Sequence, residues 1–365
     1  MTRSNVNLLT LSDIARFEVE NQLLSFYHQS QSMSDGWSLL RYDEGNNGIT
    51  SPLYRSQYPA TQDSISYWEV VGNLLHSDRG IIGIGHLRVA TSGSTSIPNP
   101  HPWMFNHNNL SYSLIHNGTV NKELLYDLIT DNETDLSWLE SHPPQTFDGG
   151  DWRSMGWGNV VDSELILLFI MKRIQNAQNV FDGYVTAILD LVNAGINANQ
   201  LNMVFSDGLS LIIFGGDNGL YIKDSEEYFS VMTQPPMDEN LDWDGITHQE
   251  LVMVNQDSLI RYPDFVSNNI QESRIIPSYF NMSPAYPNPF NGSVYFSLDG
   301  LSSADIDISI FSIIGKKIDQ FNLSGPMSGR IEIGWTPPNN LSSGTYFIEA
   351  GFKGNKQTQK ILFIK

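Results

Sequence analysis

Residues 83–118, GIGHLRVATSGSTSIPNPHPWMFNHNNLSYSLIHNG, hold side chains whose types and spacing could do chemistry. Arg88 follows a short apolar run that reads as a buried strand. A guanidinium placed there holds a carboxylate through two parallel hydrogen bonds, a geometry lysine cannot copy. Asn117-Gly118 closes a second apolar run. A side-chain amide beside a glycine N–H makes an oxyanion hole, because glycine permits close approach. Asp162 opens Asp-Ser-Glu at the head of an apolar helical run. A carboxylate there caps the helix or holds a substrate ammonium. An α-amino acid needs one anion clamp and one cation clamp, and both are offered. Each residue also has an ordinary use: Arg88 in a surface ion pair, Asp162 as an N-cap, Asn117-Gly118 as a turn. Their joint order favours the site. His86, His101, His107 and His116 invite a zinc reading. No carboxylate or thiolate stands at ligand spacing with them, so no metal is expected. His86 and His116 end strands and read as buried, hydrogen-bonded core residues.

The elements that position these residues follow from hydrophobic periodicity. Within residues 11–30, Ile14, Phe17, Val19, Leu23, Leu24 and Phe26 recur at mostly helical spacing behind Ser12, a weak cap. Asp35-Gly36-Trp37 breaks that helix. Strands are predicted over 37–42, 52–56, 81–86 and 110–115, and helices over 63–76, 121–129, 163–177 and 187–194. Residues 201–206 and 209–214 form a hairpin across Asp207-Gly208. Further strands fall near 219–223, 228–232 and 251–254. Residues 131–159 lack periodicity and read as a long surface excursion, either a binding element or an inert insertion. Residues 261–281 form a polar linker with two prolines. Beyond it, short alternating runs such as VYFSL, DISIF, RIEIGW and TYFIEA predict a small β-sandwich. Phe311, Ile313, Trp335 and Phe347 are expected in its core. No internal repeat is visible.

Composition removes several function classes. A chain of 365 residues with 40% apolar and 11% aromatic content is globular and can bury a large core. A formal charge of −20 repels phosphate backbones and anionic membranes, so neither nucleic acid nor a lipid surface is an expected partner. The longest apolar run, residues 165–171, is far too short for a bilayer. Without cysteine there are no disulfides and no thiolate metal sites. The opening MTRSNVNLLTLSD has no long apolar core and does not read as a secretory signal.

Asp35-Gly36-Trp37, Tyr54-Arg55-Ser56, residues 86–91, 99–102, 116–118 and 162–164, and Asn202 with Ser206-Asp207-Gly208 fall in one order. That order resembles class II glutamine amidotransferases, which are N-terminal-nucleophile hydrolases, over residues 1–257. The resemblance implies an α+β fold built as a four-layer αββα sandwich. It implies that Arg88 and Thr91 bind the glutamine carboxylate and Asp162 the amino group. Asn117 and Gly118 would form the oxyanion hole, and His101 joins the substrate-binding residues. The chain is similar to the stand-alone, hydrolase-like branch, since no synthetase or sugar-phosphate isomerase domain follows. The departure is the nucleophile. In the family, cysteine follows the initiator methionine; Thr2 stands there here. Threonine is a legitimate N-terminal nucleophile, with its own α-amine as base. The following RSNVNLLT is too polar for the buried strand that should carry one. Three readings stay open: a signal peptide and cysteine strand lost upstream, Thr2 acting as nucleophile, or a pocket that binds without turnover.

The remaining motifs lie in the tail. Tyr286-Pro287-Asn288-Pro289-Phe290-Asn291, then IFSIIGKK at 310–317, Ile333-Gly334-Trp335 and LSSGTYF at 341–347 resemble the type A sorting domain of the type IX secretion system. The resemblance implies outer-membrane export in a Bacteroidetes-like bacterium, release or surface attachment, and the type IX machinery as partner. Without it, the tail reads as a generic adhesive or carbohydrate-binding sandwich, disfavoured because no exposed aromatic platform is evident. Cargo of this kind needs a signal peptide, which is the ground for expecting a loss upstream. The expected organisation is an amidotransferase-like domain at 1–260, a linker at 261–281 and an Ig-like sorting β-sandwich at 282–365. The expected protein is a secreted or surface-attached amidohydrolase with no cofactor. It would act on the amide of glutamine or a γ-glutamyl compound through an acyl-enzyme, by hydrolysis and not transfer. A catalytically inactive amino-acid-binding surface protein is the alternative, and a purely structural surface protein is a third.

Overall fold

The computed structural model describes residues 1–4, 6–44, 53–89, 101–237, 243–256, 258–267, 281–301, 306–323, 329–338, 341–352 and 355–365. It is a mixed α and β structure with antiparallel sheets. The chain divides into two compact units, Met1–Asn176 with Gly183–Arg274, and Ala177–Asp182 with Ile275–Lys365.

The first unit opens with α1 (Asp13–Gln29), β1 (Trp37–Asp43), β2 (Leu53–Ser56), α2 (Ser64–Leu75), β3 (Gly80–Leu87), β4 (Trp103–His107) and β5 (Leu110–Asn117). It continues with α3 (Lys122–Thr130), α4 (Ser137–Ser141), α5 (Asp162–Ala177), α6 (Val180–Asn193), β6 (Asn202–Ser206) and β7 (Ser210–Phe214). It closes with β8 (Leu220–Asp224), β9 (Phe229–Met232), β10 (Asp244–Ile246), β11 (Leu251–Asn255) and β12 (Leu259–Tyr262). Two three-stranded sheets, β2-β1-β3 and β10-β8-β9, accompany a six-stranded sheet ordered β12-β11-β7-β6-β5-β4.

Strand alternation sorts the apolar residues between two cores. Leu40, Ile82 and Ile222 pack with Ile115, Ile213 and Val252 of the six-stranded sheet. The neighbouring Trp37 and Leu39 turn the other way, onto Tyr67 and Val71 of α2 and Val19, Leu23 and Phe26 of α1. The Ser12 hydroxyl caps α1 by accepting from the Ala15 N–H at 3.3 Å. Ile14 and Phe17, counted in the helical pattern, are exposed instead. The stripe that reaches the core is Ala15, Val19, Leu23 and Phe26. At α5 every residue from Asp162 to Met171 is buried. Tyr184 of α6 packs on Phe205 of β6, with ring centroids 5.3 Å apart.

Several boundaries differ from the sequence reading. α6 begins at Val180, not near 187. β4, β10 and β12 were not anticipated. The excursion at 131–159 contains α4 and a 3-10 turn at Met155–Asn159. It buries Leu139 and Trp152. Arg261 and Tyr262, expected in the linker, belong to β12, and Phe265 and Val266 are buried. Residues 268–280 lie outside the described residues.

The second unit contains β13 (Asn281–Met282), β14 (Val294–Leu301), β15 (Ile306–Ser312), β16 (Lys317–Leu323), β17 (Gly329–Trp335), β18 (Gly344–Phe352) and β19 (Asn355–Phe363). They form a β13-β14-β17 sheet and a β16-β15-β18-β19 sheet. One core joins them, including Val294, Phe296, Ile308, Ile310, Trp335 and Ile348. The Trp335 indole N–H donates to Asp319 Oδ2 at 2.9 Å. Of the four residues expected in this core, Trp335 is there. Phe311 and Phe347 are only half-buried, and Ile313 is 70% exposed. Strand parity explains Phe311, which falls on the face opposite Ile306, Ile308 and Ile310, while Ile313 lies past the end of β15 in the turn.

Candidate active site

A cavity of about 580 Å³ is bounded by the ends of β3, β5, β9 and α1 and the start of α5. Arg88, His101, Asn117, Gly118 and Asp162 all line it. Thr91 lies outside the described residues.

Arg88 is set by the turn before β1. Its N–H donates to the Gly36 carbonyl at 2.9 Å, and its carbonyl accepts from the Asp35 N–H at 3.1 Å. Gly36 has φ +119°, and a Cβ there would lie 2.3 Å from the Ser56 carbonyl, so the turn requires glycine. Burial works against the Arg88 charge and the nearby Asp35 carboxylate supports it. The guanidinium remains a cation, since arginine does not deprotonate in proteins.

Asn117 ends β5 opposite Asn202 of β6. Its carbonyl accepts from Asn218 Nδ2 at 2.8 Å, and Asn202 Oδ1 accepts from the Gly216 N–H at 3.0 Å. Asp162 begins α5, and its Oδ2 accepts from the Val120 N–H at 2.8 Å, fixing the carboxylate at the cavity wall. His116 Nε2 faces the Gln200 carbonyl at 2.7 Å, which can only accept, so Nε2 carries the proton. Burial lowers its basicity. The neutral ring therefore accepts at Nδ1 from the Ser163 hydroxyl, 2.9 Å away. This pair ties the first turn of α5 to the end of β5.

His86 and His101 face each other with ring centroids 4.5 Å apart. Burial pushes His86 down to about 4, opposed by its interaction with the Asn117 amide. Burial also holds His101 well below the usual imidazole range, with His86, His116, Arg88 and Arg55 adding to the effect. Both ring nitrogens of His101 and Nδ1 of His86 have no hydrogen-bond partner among the described residues. Both rings are uncharged and line the cavity. His86 is buried and interacts with the Asn117 side chain, as its strand-end position leads one to expect, and it also lines the cavity. Asn218, also in the wall, was missed, and its position in a polar stretch gave no signal. Among the described residues, no group of three or more His, Cys, Asp or Glu side chains is placed to hold a metal.

Thr2 lies elsewhere. It is buried, bridges Tyr228, and donates its N–H to the Ile81 carbonyl at 2.7 Å. It lines a separate cavity of about 150 Å³, which shares Phe26, Gly85, Val231 and Met232 with the larger one. The Met1 amine donates to the Phe229 carbonyl at 2.9 Å, and burial pushes it down to about 5. With Met1 attached, the Thr2 nitrogen is an amide and has no basicity to offer.

Residues 6–242 match the family model for class II glutamine amidotransferases, and residues 284–365 match the secretion system C-terminal sorting domain. The chain belongs to the class II glutamine amidotransferases. Its sorting domain makes it a secreted or cell-surface protein. Among the described residues, no helix is long and apolar enough to cross a membrane. The chain is also similar to an uncharacterized protein of Methanocaldococcus jannaschii, 23% identical over 204 residues. That match covers 54% of this chain and 47% of the relative, so the chain spans about half the relative's length.

Proposed function

We propose that the cavity takes glutamine or a γ-glutamyl amide, and that the first unit has the frame of an N-terminal-nucleophile amidohydrolase whose nucleophile is missing or replaced in residues 1–365. The observation carrying this is that Arg88, Asn117, Gly118 and Asp162 line one cavity. In this reading Arg88 and Thr91 hold the substrate carboxylate and Asp162 its ammonium. Asn117 and Gly118 stabilise the oxyanion of an acyl-transfer step, and His101 donates to or accepts from the bound amino acid. The fold is read as an αββα sandwich, with α1 and α2 outside one sheet layer and α6 outside the other. The tail is read as an Ig-like sandwich recognised by the type IX machinery, joined to the first unit through residues 268–280.

The location of Thr2 favours a second reading for residues 1–365 as they stand, a pocket that binds without turnover. Calorimetry with glutamine tests the clamp. Wild type is expected to bind, and Arg88→Ala to lose about 1.5–3 kcal/mol, the value of a charge-assisted hydrogen-bonded pair. Equal affinities would refute the assignment. Ammonia release separates the two readings. Little or none is expected; robust release that survives Thr2→Ala would overturn both the binding-only reading and a Thr2 nucleophile.

A further inference from the structure

We propose that the sorting unit docks on the export machinery through the β15–β16 turn and the adjoining outer face of its four-stranded sheet. This rests on reading the tail as a sorting domain. Ile313 and Ile314 at the turn are 70% and 84% exposed. The turn is held open-faced by its own bonds. The Gly315 N–H donates to the Ser312 carbonyl at 2.9 Å, the Ser312 N–H donates to the Lys316 carbonyl at 2.8 Å, and Gly315 takes φ +76°. Only position 315 needs a special residue, so turn geometry does not explain two isoleucines in water.

The surface continues onto the sheet. Phe311 pairs with Phe347, and Phe347 with Lys360, while Thr345 pairs with Leu362. Register puts these side chains on the face opposite the core. Lys317 lies over the Phe311 ring, 5.8 Å from its centroid. The patch is therefore apolar at its centre with Lys317 and Lys360 at its rim, while Asp307 and Glu349, the latter paired with Lys356 at 2.8 Å, lie further along the same face. Residues 284–365 carry seven Lys and Arg against six Asp and Glu, within a chain of formal charge −20. The acidity belongs to the first unit, and the basic rim is a local feature of the tail. The partner chemistry that fits is a protein groove with an apolar floor and a carboxylate edge. A preformed turn loses little conformational freedom on docking.

The test uses the full chain behind a signal peptide in a host with type IX export. Wild type is compared with Ile313→Ser/Ile314→Ser and with Lys317→Glu/Lys360→Glu. Surface exposure is read by antibody labelling of intact cells, and folding by thermal denaturation of the purified proteins. Wild type should reach the surface, and both folded variants should fall in surface-exposed fraction, the serine variant the more, since loss of two buried isoleucines from an interface weakens it by on the order of a hundredfold or more. If wild type and both folded variants reach the surface equally, the patch is not the docking surface and the sorting reading survives. If wild type stays in the periplasm, the sorting reading itself fails and the docking surface falls with it. Should the serine variant not fold, the charge-reversal pair at exposed positions decides.

Discussion

A methyl group at position 118 would sit 2.1 Å from the Gln200 carbonyl and 2.9 Å from His116 Nε2. That carbonyl already accepts from His116, so it cannot retreat without breaking the bond that ties β5 to the turn before β6. Gly118→Ala should destabilise the first unit by about 1–3 kcal/mol and weaken glutamine binding, as denaturant titration and calorimetry would show. The buried titratable groups pull in opposite directions with pH. His86 takes a proton near 6.5 when unfolded but resists until about 4 in the fold. Its contribution is present above 6.5 and is lost as pH falls through that window. Burial pushes Glu164 up to about 7 from 4.5, against the Gln145 N–H and Arg55. Its contribution is full below 4.5 and is lost as pH rises through 7. Glu164→Gln keeps an acceptor for the Gln145 N–H and should flatten that decline. Urea midpoints measured across the interval would show an unchanged slope if the carboxyl is not responsible.

Among the elements, β12 is held by its ladder with β11 and by one ion pair. Arg261 Nε donates to Glu250 Oε1 at 2.6 Å and Nη2 to Oε2 at 3.1 Å, while the Thr247 N–H also donates to Oε2 at 2.8 Å. Arg261→Ala leaves the buried Glu250 carboxylate without its cation and should cost about 2–3 kcal/mol in urea denaturation. The same pair shows why residues 261–262 read as linker: Arg261 is polar along its own segment, and its partner stands just before β11. Elements whose signal is local were legible. The strand before Arg88, the one ending at Asn117, the Asp207-Gly208 hairpin and the helix opening at Asp162 are all where hydrophobic runs and turn residues put them. The start of α6 was hidden by Gly183, which lowers helix propensity, yet its position 2.3 Å from Ile174 Cα, measured from an added Cβ, shows glycine serving close packing. Most of the candidate site was legible because its residues sit at strand and helix ends. The edge-to-face contact between His86 and His101 was not, since it joins separate segments and leaves no mark on either.

For the whole molecule, each unit has its own hydrophobic core and its own sheets. Residues 1–267 and 281–365, expressed separately, should each unfold cooperatively with its own midpoint. A fragment that stays unfolded alone would show that the boundary is misplaced. Seven of the eight tryptophans precede residue 284, and Trp335 alone lies beyond it. That indole is buried against Phe290 and bonded to Asp319. The isolated tail thus has one tryptophan, set in the core that its two sheets share, whose emission can be excited apart from the tyrosines. Its emission should lie to the blue when folded and move to the red on unfolding, reporting the sandwich without any label. In the full chain, replacing Trp335 with Phe would make the difference spectrum a direct readout of whether the tail opens before or after the rest.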